Sequence, residues 1–439
     1  MVNSTFLPGD REFRFERSAF PAGARRSPWP ANGPGSAVCV CGGPSGGHDV
    51  NALSFWRHLN AVLSGALALL LAARQGSESP RSAWALEHAT LAPNAVPTPT
   101  GLRLLQGIAY RPDITLENGT IEFELAPPGG VFAGLAFRMA NTADYEIIYF
   151  ISSENGDRWK AIQYQPVFAG ETTWQLYNEA PYLASIPKEA GRTLRVRTAI
   201  AADRADVCLN DDPIAILRVP DLKRDRARGA IGFWSVAPDG APGNEIRDLR
   251  VDSTRVPALG DPIGAPLRAV PSPRQLMHWR VSERQPAPDG VHAPARLPQE
   301  LAPDTWRLVT AETTGLMNLT KAIGNPAGRQ AANVFGGAGW GLAYAAVTIV
   351  SASERSVSLS LSYSDGIGVY LNGRRLYAGD NSADSRYPDY LGVVGHESET
   401  IDLPLRAGRN ELVLAVTDRA FGWGFRASLD SLDGLTIVP

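Results

Sequence analysis

The chain has 439 residues, enough for two or three domains at roughly 150 residues each. With 44% hydrophobic and 20% charged residues it has the balance of a globular protein. A net charge of −3 gives no electrostatic footprint for nucleic acid, and no run of about 20 apolar residues offers a stable membrane span. Only four of the 42 basic residues are lysines (Lys160, Lys188, Lys223 and Lys321). That arginine excess, with abundant glycine and proline, reads as GC-rich coding rather than as a binding patch.

Residues 1–54 are rich in Pro, Gly and Arg without hydrophobic periodicity and are expected to be a disordered leader. Phe55-Trp56-Arg57-His58 then precedes an apolar run from Leu59 to Ala73, and a polar stretch ends at Ala83-Trp84-Ala85. A basic flank, a short apolar helix and small residues around a cleavage point predict a secretory signal peptide over 55–85, with a mature start near Leu86. Such a signal belongs near an N-terminus, so translation is expected to begin further in, near Val50. Eight basic and five acidic side chains lie before residue 86, leaving the remainder a net charge of −6. Cys39 and Cys41 fall in the leader, and Cys208 alone remains, in an alternating Asp206–Asn210 stretch that suits a small buried thiol. No metal-ligand spacing and no cofactor motif is present, so neither a metal nor a cofactor is expected.

From about Gly101 the chain reads as short alternating runs between turn signals. Asn118-Gly119 precedes strictly alternating Thr120–Leu125, and further strands are predicted at 134–138, 145–150, 161–164, 174–177, 193–197, 207–209, 214–219, 231–234 and 245–251. Prolines 257, 262, 266, 271 and 273 punctuate a linker over 256–275. A second β unit over 276–439 carries another proline-rich insertion, 286–303. It holds strands at 306–309, 346–351 and 356–363, a tight hairpin 367–377 turning at Asn372-Gly373, and closing strands at 399–405, 409–417 and 435–438. The fold class is therefore all-β: two antiparallel, jelly-roll type β-sandwiches, 86–255 and 276–439, joined by a proline-rich linker.

The first unit resembles the concanavalin A-like lectin/glucanase superfamily, in its laminin-G-like and 3-keto-disaccharide-hydrolase-like branch. The likeness lies in Asn118–Glu124, Ala133–Arg138, Asp144-Tyr145-Glu146, Val207–Asp211 and Gly229–Trp234. It implies two curved sheets whose concave face often holds a carbohydrate. In the hydrolase-like branch an arginine on one strand is followed by Tyr-Glu-x-Gln on the next; here Ile148 stands at the glutamine position. The second unit resembles a galactose-binding-domain-like jelly roll, through Tyr363-Ser364-Asp365-Gly366, Val369–Gly373, Leu403–Asn410 and Gly422–Phe425. Asp365-Gly366 is expected to make a turn rather than to hold calcium.

Sugars need flat apolar faces for C–H groups and directional polar groups for hydroxyls. The stretch from Gln163 to Tyr182 is dense in both. Arg138 and Glu146 fall on successive strands, and Gly134 and Ala136 beside Arg138 leave room over their shared face. The candidate ligand contacts are Arg138, Glu146, Gln163, Tyr164, Trp174 and Tyr177. A second candidate lies in the other unit, at Arg386–Tyr390 with Trp423-Gly424-Phe425. The expected function is that of an exported (secreted or periplasmic) protein that recognises a glycan or glycoconjugate without cleaving it, with no nucleic-acid partner and no membrane span in the mature chain. Two alternatives stand beside it. One is a glycoside hydrolase using Glu146 or Glu122, the latter two residues from Glu124 on one strand face; the other is a structural or adhesive module.

Overall fold

The computed structural model describes residues 95–225, 228–260, 272–287, 291–298, 306–324, 341–383, 385–387, 390–395, 399–419 and 421–439, which belong to one compact unit. The leader and signal segment, Cys39, Cys41, linker residues 261–271, Pro388, Asp389 and His396 lie outside the described residues.

The protein is all-β and its strand pairs are antiparallel. Residues 95–252 form two sheets. One runs in the order Ala95–Thr98, Gly101–Leu104, Asn244–Asp252, Gly119–Leu125, Leu194–Ala201, Arg204–Leu209, Leu217–Val219. The other runs Gly107–Leu116, Gly229–Val236, Phe132–Asn141, Asp144–Ser152, Trp159–Phe168, Glu171–Thr172, with Leu183–Ser185 also pairing with Trp159–Phe168. Period-2 alternation explains the layering: in Gly119–Leu125 every second residue is buried, and Ile121, Phe123 and Leu125 enter the core between the sheets. Glu122 and Glu124 therefore point to the opposite, solvent side. There Glu122 lies across from Arg197 and Arg250, and Glu124 across from Arg195 and Arg247.

Strand Phe132–Asn141 departs from simple alternation. Leu135 and Phe137 enter the core, but the pairing register with Asp144–Ser152 breaks after Phe137. Arg138 adopts a left-handed φ of 50°. This bulge places Met139 on the side of Ala136, so Arg138 does not share a face with Gly134 and Ala136 as strict alternation predicts.

Residues 276–439 form a second sandwich. Its larger sheet runs Arg307–Thr310, His278–Val281, Gly341–Ser351, Gly408–Asp418, Gly366–Leu371, Arg374–Asp380, with Gln285–Pro286 and Leu435–Val438 also pairing with Gly341–Ser351. The facing sheet runs Leu316–Asn318, Gly424–Leu429, Arg355–Ser364, Glu399–Leu405. Trp279, Leu359, Val369, Leu414, Trp423 and Phe425 fill the space between them. Burial in this core corrects the reading of Trp423 and Phe425 as ligand-facing residues. The predicted hairpin is present, Leu371 pairing with Arg374 across Asn372 (φ 53°) and Gly373 (φ 80°).

Two consecutive left-handed residues are what a two-residue hairpin turn needs, and only the first position tolerates asparagine with ease. Gly373→Val should therefore destabilise the protein by about 1–2 kcal/mol, the penalty for holding a side chain in this region. The urea unfolding midpoint measures it.

Candidate functional site

Five of the six residues expected to contact sugar are buried within the first sandwich, and Trp174 is partly buried. Glu146 is fully buried: its Oε1 accepts from the Arg224 amide at 2.8 Å and its Oε2 from the Tyr164 hydroxyl at 2.5 Å. Arg138 is buried too, its guanidinium donating to the Ala202 carbonyl. Gln163 accepts from the Tyr149 hydroxyl at 2.6 Å and donates to the Trp174 and Tyr177 carbonyls at 3.2 and 3.1 Å. Glu146, Gln163 and Tyr164 thus spend their polar groups on the protein, and Arg138 spends one guanidinium nitrogen on it. Ile148, at the position of the family glutamine, packs in the core.

Trp174 and Tyr177 have a different fate. The chain forms a single 3-10 turn over Trp174–Leu176, not the predicted strand, and this turn meets the second sandwich. The Tyr177 hydroxyl donates to Glu312 Oε1 at 2.5 Å and accepts from Asn318 Nδ2 at 2.9 Å. Lys223, with only 5% of its side chain exposed, ion-pairs with Asp221 at 2.7 Å and with Glu312 at 2.6 Å. Its ammonium lies 5.4 and 5.1 Å from the ring centres of Tyr177 and Tyr182. Arg426 pairs with Glu179 at 2.7 Å, and Trp174 packs on Phe421 at 5.4 Å between ring centres. Two carboxylates and two ring faces hold the buried cation, and the Tyr177 and Tyr182 hydroxyls donate to the Glu312 and Asp221 carboxylates, as a charge removed from water requires.

This seam positions a loop. Gln175 donates from its side chain to the Leu391 carbonyl at 2.8 Å, and its backbone carbonyl accepts from the Val394 amide at 3.0 Å. Gly392 (φ 66°) lets the loop come this close, since a Cβ there would lie 2.2 Å from the Asn381 carbonyl oxygen and 2.8 Å from Gln175 Nε2. At the other end of the same loop, Tyr387 is 57% exposed and packs edge-on against Tyr390 at 5.1 Å. Arg386 lies over the Tyr390 ring, 5.3 Å from its centre, and pairs with Glu399 at 3.0 Å. The Tyr390 hydroxyl donates to Asn381 Oδ1, and Asn381 Nδ2 donates to the Tyr363 carbonyl at 2.6 Å. Tyr363 and Tyr377 share a hydroxyl–hydroxyl bond of 3.0 Å. Burial raises the Tyr377 phenol, and the nearby Glu399 carboxylate raises it further, so it stays a neutral donor.

Here an open aromatic face stands beside a half-exposed arginine–carboxylate pair, on a buried tyrosine and asparagine support. That is the combination of stacking surface and directional polar groups that a polyhydroxylated ligand requires. The sequence marked Arg386 and Tyr387 but not Tyr377 or Glu399, which reach the cluster from neighbouring strands.

Glu124 pairs with Arg247 at 3.3 Å within the arginine–glutamate ladder of the outer sheet face, where Glu122 also lies. The Asp365 carboxylate accepts from the Arg419 amide at 2.6 Å. Among the described residues no group of three or more His, Cys, Asp or Glu side chains is arranged to hold a metal ion.

The chain matches no protein family and no curated protein. Among solved structures, a family 35 carbohydrate binding module from an environmental isolate is similar at 18% identity over 21% of this chain and 69% of that one, with a TM-score of 0.17. A β-glucosidase from Kluyveromyces marxianus is similar at 13% identity over 35% of this chain and only 15% of that one, TM-score 0.21. An anti-sigma factor domain-containing protein from Clostridium clariflavum shares 10% identity over 76% of this chain and 82% of that one, TM-score 0.23. Likenesses this slight assign no function to the chain.

Two outcomes follow from the buried groups. Removing the Glu312 carboxylate leaves a buried cation half-paired, so Glu312→Ala should lower stability by about 3 kcal/mol, measured by chemical unfolding. Burial pushes the Glu146 carboxyl above its ordinary value of 4.5, against the opposing pull of Tyr164, Arg224 and Arg138. A raised folded-state value makes its contribution most favourable below pH 4.5 and progressively less so as pH rises towards the folded value. The thermal midpoint of Glu146→Gln, which does not titrate, should therefore gain on that of the unsubstituted protein as pH rises above 4.5.

Proposed function

We propose that this chain recognises a glycan without cleaving it, through the surface built by Arg386, Tyr387, Tyr377 and Glu399. The single observation that carries the reading is the exposed Tyr387 ring beside the Arg386–Glu399 pair, rigidly backed by Tyr390 and Asn381. In this reading a pyranose lies on the Tyr387 ring, and the guanidinium and carboxylate bond adjacent hydroxyls, the arginine donating and the glutamate accepting. The first sandwich supports the site: its Gln163–Tyr182 segment seats the loop instead of meeting the sugar. The sequence resemblances to lectin-like and galactose-binding-like families agree with this reading. The full burial of Glu146, with both carboxylate oxygens engaged, argues against its use as a catalytic acid. The apolar segment before Ala83-Trp84-Ala85 places the protein outside the cytoplasm in this proposal, with domains over 86–255 and 276–439.

A glycan array probed with the full chain tests the reading. Retention on at least one glycan is expected, falling about tenfold in Tyr387→Ala and in Arg386→Ala, as loss of one stacking or charged contact of about 1.4 kcal/mol implies. Polysaccharides incubated with the protein should show no new reducing ends. Retention unchanged by both substitutions would place the site elsewhere, and released reducing ends would make the protein an enzyme. N-terminal sequencing of the exported protein should begin at Leu86.

A further inference from the structure

Residues 291–298 of the proline-rich insertion lie against the outer face of the larger sheet of the second sandwich. On that face Leu342, Tyr344, Ala346, Tyr370, Val413 and Ala415 form an apolar cluster, and Ala287, Leu297 and Trp306 pack against it. The insertion is pinned at several points. The His292 carbonyl accepts from Thr417 Oγ1 at 3.2 Å, and His292 Nε2 lies 3.2 Å from Asp380 Oδ2. The Pro294 carbonyl accepts from the Tyr370 hydroxyl and from Arg375 at 3.1 Å. Between insertion and sheet remains a cleft of about 330 Å³, lined by Leu342, Tyr344, Val291, Pro294, Arg296 and Leu297 among others. That volume is at the small end of the range for ligand pockets, roughly 300–1,000 Å³.

Two polar side chains in this apolar lining lack a protein partner. Tyr344 is only 2% exposed, yet its hydroxyl makes no hydrogen bond to the protein; the bonds of this residue run from its backbone, to Ser282. The hydroxyl is not among the atoms sealed from solvent, so it is free to donate into the cleft. Exposed Arg296 has no ion-pair partner among the described residues. Folding has kept a hydrogen-bond donor and a fixed positive charge on the wall of an otherwise hydrophobic slot.

We propose that the cleft binds a small monocarboxylate with an apolar body. The body lies against Leu342, Leu297 and Val291, and the carboxylate takes the Tyr344 hydroxyl and the Arg296 guanidinium. A carboxylate supplies the acceptor oxygens that both donors lack, and the charge that Arg296 prefers over a neutral oxygen. The site stands independently of the glycan reading, because it shares no residue with the Tyr387 surface.

Isothermal titration of the full chain with 4-phenylbutyrate and with 4-phenylbutan-1-ol tests the proposal. The acid is expected to bind and the alcohol to bind about tenfold more weakly, the difference one charge-assisted contact makes. Tyr344→Phe, which removes only the hydroxyl, should weaken the acid several-fold, and Arg296→Gln should abolish the preference for acid over alcohol. Val291→Trp, at an exposed position on the insertion, should fill the cleft and remove binding while leaving the thermal midpoint unchanged. No heat with the acid at millimolar concentration, equal affinity for acid and alcohol, or undiminished binding by Val291→Trp would each overturn it.

Discussion

The ammonium of Lys223 is the point on which the arrangement turns. It comes from the first sandwich, is nearly excluded from water, and lies between Asp221 of its own sandwich and Glu312 of the other. A buried charge is tolerated only when it is paired and its partners are hydrogen-bonded. Here the Tyr182 hydroxyl completes Asp221 at 2.5 Å, and the Tyr177 hydroxyl completes Glu312. The Lys223–Glu312, Tyr177–Glu312 and Asn318–Tyr177 contacts cross the seam, so pulling the sandwiches apart would break all three at once. Lys321 extends the same seam, donating to the Lys223 carbonyl at 2.8 Å and pairing with Asp225 at 2.9 Å.

The consequence reaches the candidate site. A loop as long as 381–398, free in solution, would carry an exposed tyrosine at a large entropic disadvantage for binding. Gln175 and Gly392 fix one end of this loop to the first sandwich, while Asn381 fixes the other by bonds to Asp365 and Tyr363. Arg386 and Tyr387 are then presented from a held segment. In the proposed reading the first sandwich braces this loop, through packing instead of through contact with a ligand.

Much of the fold could be read from alternation and turn chemistry. Thr120–Leu125 alternates without exception, and Asn372-Gly373 sits where the hairpin turns. Two features were not legible. The bulge at Arg138 adds one residue with no glycine or asparagine at Phe137-Arg138-Met139 itself to announce it, and one residue is enough to move a side chain to the other face. The stretch from Gln163 to Tyr182 misled for a chemical reason: tyrosine, tryptophan and amides build both sugar sites and the tightly packed cores of protein interfaces. Only the position of Glu312 and Asn318, more than a hundred residues away, decides between the two. Tyr387 stands out in the sequence as a candidate because an exposed loop rich in aromatic and charged residues has little structural reason to exist, and the structure leaves its ring exposed.

The brace is tested most directly by amide hydrogen exchange in the full chain, read at Val394 and Gly395. Their amides donate to the Gln175 carbonyl and to Ser362 Oγ, and protection comparable to that of the neighbouring sheets is predicted, falling sharply when Glu312 is replaced by alanine. Exchange at unprotected rates in the native protein, or protection indifferent to loss of the Glu312 carboxylate, would contradict the account.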